Sequence, residues 1–216
     1  MGDFTLWDII RNLLLALRWT IGLSIIAFVG GGLVGGTLMI LRLAKIPGAS
    51  RFVRIYIHLF QGTPLLMQLF LCYFGLALFG IETTPIMAAS ICLTLYASAF
   101  LTEIWYGAVK SVSINQWEAG ASLALSFYQQ LRHVILPQAL RISIAPTVGF
   151  MVQAIKSTAL ASVTGFVELT RSGQIISNVT FNPFLVYGCV ALLYFMICFP
   201  LSLFSQRLEN RLKRSL

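Results

Sequence analysis

Six polar side chains stand inside stretches otherwise too apolar to hold them: Thr63, Glu103, Gln153, Lys156, Ser157 and Thr158. The hydroxyl and amide groups of Thr63, Gln153, Ser157 and Thr158 can satisfy the polar atoms of a small solute without burying an unpaired charge. A lysine two-thirds of the way along an apolar run costs about 2.5–3.5 kcal/mol on insertion scales, so Lys156 is expected to meet water, a partner or a ligand. Glu103 is the remaining intramembrane charge. A Glu103–Lys156 ion pair is one reading, weakened by their different depths. Satisfaction of Lys156 by carbonyls freed around Pro64 or Pro146 is another. Together the six residues suggest a polar lining built from the second and fourth apolar runs.

A second constellation lies in a hydrophilic stretch of the chain, about 114–137. Its pattern predicts a short helix from Ile114 to Phe127, with Trp117, Ala121, Ala124 and Tyr128 on one stripe. Asn115 is the expected N-cap, and Ile135-Leu136-Pro137 reads as an apolar stop. Glu118-Ala119-Gly120 is the informative segment: a compact helix offered on one face of a membrane protein can be pushed by another molecule. The plainer alternative is a helix lying on the lipid surface.

The elements that must position these groups follow from composition. Charged residues make up 10% of the chain, apolar residues 58%, and mean hydropathy is +0.86. An ordinary soluble domain carries about 25% charge. A hydrocarbon core of about 30 Å needs roughly 20 apolar residues, and five stretches qualify, at about 13–41, 52–79, 86–109, 138–164 and 184–205. The predicted fold is therefore one all-α integral membrane domain over 1–216, with no room for a soluble one. An outside N-terminus puts Arg42, Lys45, Arg51 and Arg54 in the first cytoplasmic loop. Lys110, Arg132 and Arg141 then fall in the second, and Arg207, Arg211, Lys213 and Arg214 in the tail. The outer connection at Gly80–Pro85 has no basic residue, so the positive-inside rule favours N-out, C-in. The net charge of +8 is spread along membrane edges and forms no nucleic-acid-reading surface.

Other functions find no support. Met1-Gly2-Asp3 lacks a basic n-region and a myristoylation pattern, so the expectation is a chain that starts mature. No Gly-Lys-Ser/Thr phosphate loop is present. His58 and His133 have no acidic or cysteine neighbour at ligand spacing, so no metal site is expected. Cys72, Cys92, Cys189 and Cys198 all fall in spans, where they read as small packing residues. Gly31/Gly35 and Gly32/Gly36 have the spacing that lets membrane helices approach closely, with a partner helix the pattern does not identify. Gln61-Gly62-Thr63-Pro64 breaks the second span, and Pro146 with Gly149 is expected to loosen the fourth.

In order along the chain, Gly62-Thr63-Pro64-Leu65, Tyr96 to Glu103, Gln116-Trp117-Glu118-Ala119 with Ile135-Leu136-Pro137-Gln138-Ala139, and Glu168-Leu169-Thr170 resemble the polar amino-acid permeases of bacterial ATP-binding-cassette (ABC) importers. The likeness runs from about Arg11 to Leu212. It implies a type I importer permease fold in a bacterial inner membrane. Its implied partners are a cytoplasmic ATPase dimer that binds ATP and Mg2+, a second identical or paralogous permease, and a periplasmic or lipid-anchored amino-acid-binding protein. The segment 115–137 matches the family's coupling loop, so Trp117, Glu118, Ala119, Gly120, Ala121 and Ala124 become the expected ATPase contacts. The chain departs from the family in having Gly120 for Ala, Ala124 for Gly, Gln61 and Tyr106 for Arg, and Ser157 for an acid or amide. The Ser157 change removes an anionic partner for a cationic solute and so favours neutral polar or acidic amino acids as substrate. A stand-alone secondary transporter or channel subunit is the alternative, but it would call for paired intramembrane acids or internal repeats, and neither is seen.

Overall fold

The computed structural model describes residues 5–44 and 46–215, with side chains up to Leu212. The readings on Met1-Gly2-Asp3, Lys45, and the side chains of Lys213 and Arg214 lie outside what is described. All regular structure among the described residues is helical.

The first span, α1 (Leu6–Leu43), starts at a capping box in which Thr5 and Asp8 satisfy each other's backbone donors. It packs along α4 (Pro85–Ser111). Contact runs through Gly31 and Gly35, where an added Cβ would sit 2.5 Å from the Ala97 Cβ and 2.9 Å from the Ser98 carbonyl oxygen. Gly32 and Gly36 meet only the edge of the Trp105 ring, at 3.7 and 3.5 Å. The partner of the first glycine pair is therefore α4 of this same chain.

The second expected span is two half-helices, α2 (Ala49–Gly62) and α3 (Leu65–Leu78), bent by 102° at Thr63-Pro64. Pro64 removes a donor and disfavours helical backbone at Thr63, which adopts φ −118°, ψ 146°. Gln68 stitches the break, donating to the carbonyls of Phe60 (2.9 Å) and Thr63 (3.0 Å) and to Thr63 Oγ1 (2.8 Å).

The coupling segment holds α5 (Ile114–Ser122) and a single turn at Phe127–Gln130. A wide turn over Leu131–Ile135 then runs without a stop into the fourth span, α6 (Leu136–Ser157). Ile135-Leu136-Pro137 does not end a helix as expected, because Pro137 sits in the first turn, where a missing N–H is harmless. Helix α6 also passes through Pro146 unbroken. Beside that proline, Ser205 of the last helix donates to the Ala145 carbonyl at 2.9 Å. The break expected at Pro146 and Gly149 comes later, where α6 tightens into a 3-10 turn over Thr158–Thr164. Helix α7 (Leu169–Thr180) leads to the last span, α8 (Pro183–Ser215), against which it packs at Gly173.

Four helices are long and apolar enough to cross a membrane, five if the bent pair counts as one. Much of their apolar surface is exposed, including Leu33, Leu71, Leu78 and Phe195. In a water-soluble protein such a surface would aggregate; against lipid or a second membrane subunit it is at rest.

Candidate functional site

Two sites emerge, one on helix α5 and one at the break of the second span. Helix α5 is capped by Ser113, whose hydroxyl accepts from Asn115 N at 3.3 Å; the cap lies two residues before the expected Asn115. The helix ends at Ser122, short of the expected Phe127. Ala124 there takes the left-handed conformation (φ 54°), and the amides of Ala124 and Leu125 bond back to the carbonyls of Ala121 and Gly120.

This turn separates residues that the helical stripe had placed together. Trp117 is half-buried and points inward, stacked on Phe127 with 5.8 Å between ring centroids and packed on the Ala108–Val112 end of α4. Gly120 is buried against Gln130, whose Cγ would lie 2.9 Å from an added Cβ. Gln130 in turn donates to the Leu125 carbonyl at 2.8 Å, and Gln138 of α6 donates to Gln116 at 3.2 Å. The outward face carries Glu118, Ala119, Ala121, Leu123 and Ala124, all exposed, with Tyr128 beyond them. Trp117 and Gly120 thus fasten the helix, while Glu118, Ala119, Ala121 and Ala124 present it. Gln130 and Gln138 escaped sequence reasoning because a glutamine in a polar loop carries no local signal of burial.

The expected polar lining is not gathered in one place. Thr63 is exposed at the break and shares an apolar cavity of about 410 Å³ with Gln68, Leu71, Cys72 and Cys92. Gln153 and Lys156 are exposed on α6, and Lys156 borders a separate hollow of about 240 Å³ with Tyr194, Cys198 and Ser202. Ser157 and Thr158 are buried, and the Thr158 hydroxyl is spent on the Ile155 carbonyl at 2.7 Å. They face the interior of this chain, because the helix changes pitch at that point.

Glu103 pairs with neither Lys156 nor an arginine at 61 or 106. Its carboxylate meets the Arg42 guanidinium in the last turn of α1, and Arg42 lies over the Tyr106 ring, 3.7 Å from its centroid. The cation missing from the second and third spans is therefore supplied by the first. The Arg42 side chain is 11% exposed and that of Glu103 48%, so a nearly dry cation meets one carboxylate and one aromatic face, while its buried Nε has no hydrogen-bond partner. Gln61, in place of the family's arginine, donates to the Ala99 carbonyl at 3.4 Å.

A further polar knot joins Glu168, in the connection after the fourth span, to α1 and α8. Glu168 caps α7, accepting from Arg171 N (2.9 Å), and is completely buried. Its other oxygen accepts from Tyr194 OH of α8 (2.9 Å) and Thr20 Oγ1 of α1 (3.3 Å). Burial pushes the Glu168 carboxyl above its ordinary value, against the opposing pull of these hydrogen bonds.

Residues 47–214 match the family model of the binding-protein-dependent transport system inner membrane component. The chain belongs to that family. It is 33% identical to the glutamine transport system permease protein of Escherichia coli K12, over 96% of both chains. It is 33% identical to the L-cystine transport system permease protein of Bacillus subtilis, over 99% of this chain and 94% of the other. The crystal structure of an amino acid ABC transporter with histidines superposes with a TM-score of 0.91 and 29% identity, over 98% and 99% of the two chains. A methionine ABC transporter in an inward-facing conformation shares the fold, at a TM-score of 0.76 and 18% identity. This permease has the type I importer fold, and its helices make it a membrane protein.

Proposed function

We propose that this chain forms the translocation pathway of an ATP-driven importer of neutral polar amino acids in a bacterial inner membrane, N-terminus outside and C-terminus cytoplasmic. The observation that carries the reading is α5: fastened from behind by Trp117 and Gly120, it offers Glu118 and Ala121 outward from an otherwise apolar body. Such a helix transmits a push without folding away from it. Its partner is a cytoplasmic ATPase dimer, which holds ATP and Mg2+ and supplies the closing and reopening stroke. A second permease, identical or paralogous, and a periplasmic or lipid-anchored binding protein complete the assembly. This chain does no bond chemistry on the solute or on ATP; its part is to change helix packing between two states. The glutamine and cystine relatives support a neutral polar substrate, as do the exposed Thr63 and Gln153.

The test uses the complete transporter in liposomes with its binding protein. Glu118→Lys should abolish binding-protein-stimulated ATP hydrolysis and uptake, while the membrane subunits purify and melt as before. Normal stimulation in that variant would remove α5 from the coupling role. Uptake by the permease without its ATPase would instead favour a stand-alone transporter.

A further inference from the structure

The spacing of the four cysteines gives no pairing, but the fold brings two of them together. Cys72 lies in a wide turn of α3 over Leu71–Gly75, a helical irregularity that often marks a functional position. Cys92 is buried on the facing side of α4. Both pack in the cluster of Leu65, Leu69 and Leu93, and both border the 410 Å³ cavity at the break. Cys189 and Cys198 sit on α8 in other clusters. At 1.5 Å per helical residue, Cys92 is about 10 Å below the start of α4 at Pro85, and Cys72 about 9 Å from the end of α3 at Leu78. Along the chain the two cysteines thus flank the Gly80–Pro85 connection, about two helical turns to either side.

We propose that Cys72 and Cys92 form a reversible disulfide that staples the broken second span to α4. The placement on the oxidising side rests on the N-out orientation proposed above. The oxidant is a disulfide-bearing molecule. One cysteine thiolate attacks it, forming a mixed disulfide and releasing one thiol; the second cysteine then displaces a second thiol as the internal S–S bond closes. Two protons leave the cysteines, and two electrons pass to the acceptor disulfide, which ends as two thiols. The cavity wall is apolar apart from Thr63 and Gln68, so an apolar aromatic disulfide can reach the pair. Once closed, the bond joins two segments whose relative movement an alternating pathway requires.

The experiment treats the assembled transporter, carrying Cys189→Ser and Cys198→Ser, with 4,4′-dipyridyl disulfide, and weighs this chain by intact mass. The staple should leave it lighter by two hydrogens, give a cross-linked 72–92 peptide, and revert with dithiothreitol. Adding Cys92→Ser should leave a pyridylthio adduct on Cys72 instead. Two retained adducts, or no reaction at either thiol, would overturn the pairing. Uptake by the stapled complex should fall at least tenfold and return on reduction. Unchanged uptake with the bond formed would overturn its restraining role. The mass result does not depend on transport, so a complex that never transports amino acids would sink the importer reading and leave the staple standing.

Discussion

Ala124 sits where an L side chain pays for its Cβ, at φ 54° in the turn that ends α5. The family resemblance placed glycine at this position and alanine at 120; here the two are exchanged. Each exchange has a local reason or a local penalty. Gly120 admits the buried Gln130 side chain, which an alanine would push aside. Ala124 gains nothing visible and carries left-handed strain of about 1–2 kcal/mol. Ala124→Gly should therefore raise the stability of the detergent-solubilised protein by about 1 kcal/mol, read as a higher melting temperature. A fall in that temperature would mean that the turn relaxes in the assembled membrane domain. At this scale the residue types of the coupling segment were legible, but not their directions. Periodicity assigned Trp117 and Ala121 to one stripe, and the inward pull of Phe127 on the indole decided otherwise.

Among the elements, the α1–α4 contact is the most extensive helix pairing, and it turns on one of two glycine pairs. Gly31→Ala should cost about 1–3 kcal/mol by overpacking, since the Ala97 Cβ and the Ser98 backbone, both in a rigid helix, stand in the way. Gly32→Ala should be close to neutral, with only a movable indole edge 3.7 Å away. Parallel thermal melts of the two variants check this; equal losses would contradict the close approach. Sequence reading found the helices well, because long apolar runs have few alternatives. It placed the break of the second span at Gln61–Pro64, where the 102° bend lies, but misplaced the break in the fourth. Pro64 and Pro146 look alike in a sequence. Thr63 turns to extended backbone before the first and Gln68 absorbs the freed carbonyls, whereas the second is carried within a continuous helix braced by Ser205. Arg42 was visible only as one charge in a tally; its pairing with Glu103 is a contact across 61 positions, which no local pattern encodes.

For the whole molecule, Glu168 ties α1, α7 and α8 at one end of the bundle. Its carboxyl is raised above 4.5 in the fold, so the folded state prefers the neutral form. The sign follows: its contribution to stability is complete below pH 4.5 and is lost as pH climbs through the raised value. Glu168→Gln should keep the hydrogen-bonded cap and flatten that part of the pH–stability curve. Glu168→Ala, leaving Tyr194 and the Arg171 amide without their acceptor, should lower stability at every pH, by about 1–3 kcal/mol for each orphaned group. Melting curves from pH 4 to pH 8 for the three proteins separate these outcomes; a wild type whose stability rises steadily across that range would refute the assignment.

The bend at Thr63-Pro64 also bears on how the protein is made. Each half-helix, at 14 residues, is about 21 Å long, too short to cross a hydrocarbon layer of about 30 Å alone. The first half, moreover, carries Arg51, Arg54 and His58. As α2 and α3 leave the ribosome, neither is a competent membrane segment; α2 can already rest Val53 and Ile57 on Leu38 of α1, but the surfaces that hold both halves, on α4, are not yet synthesised. The pair must therefore wait beside the insertion machinery until α4 arrives, so that three segments enter as one unit. A nascent chain cut just after Leu78 would be expected to slip back out of the bilayer, and one extended through Ser111 to stay.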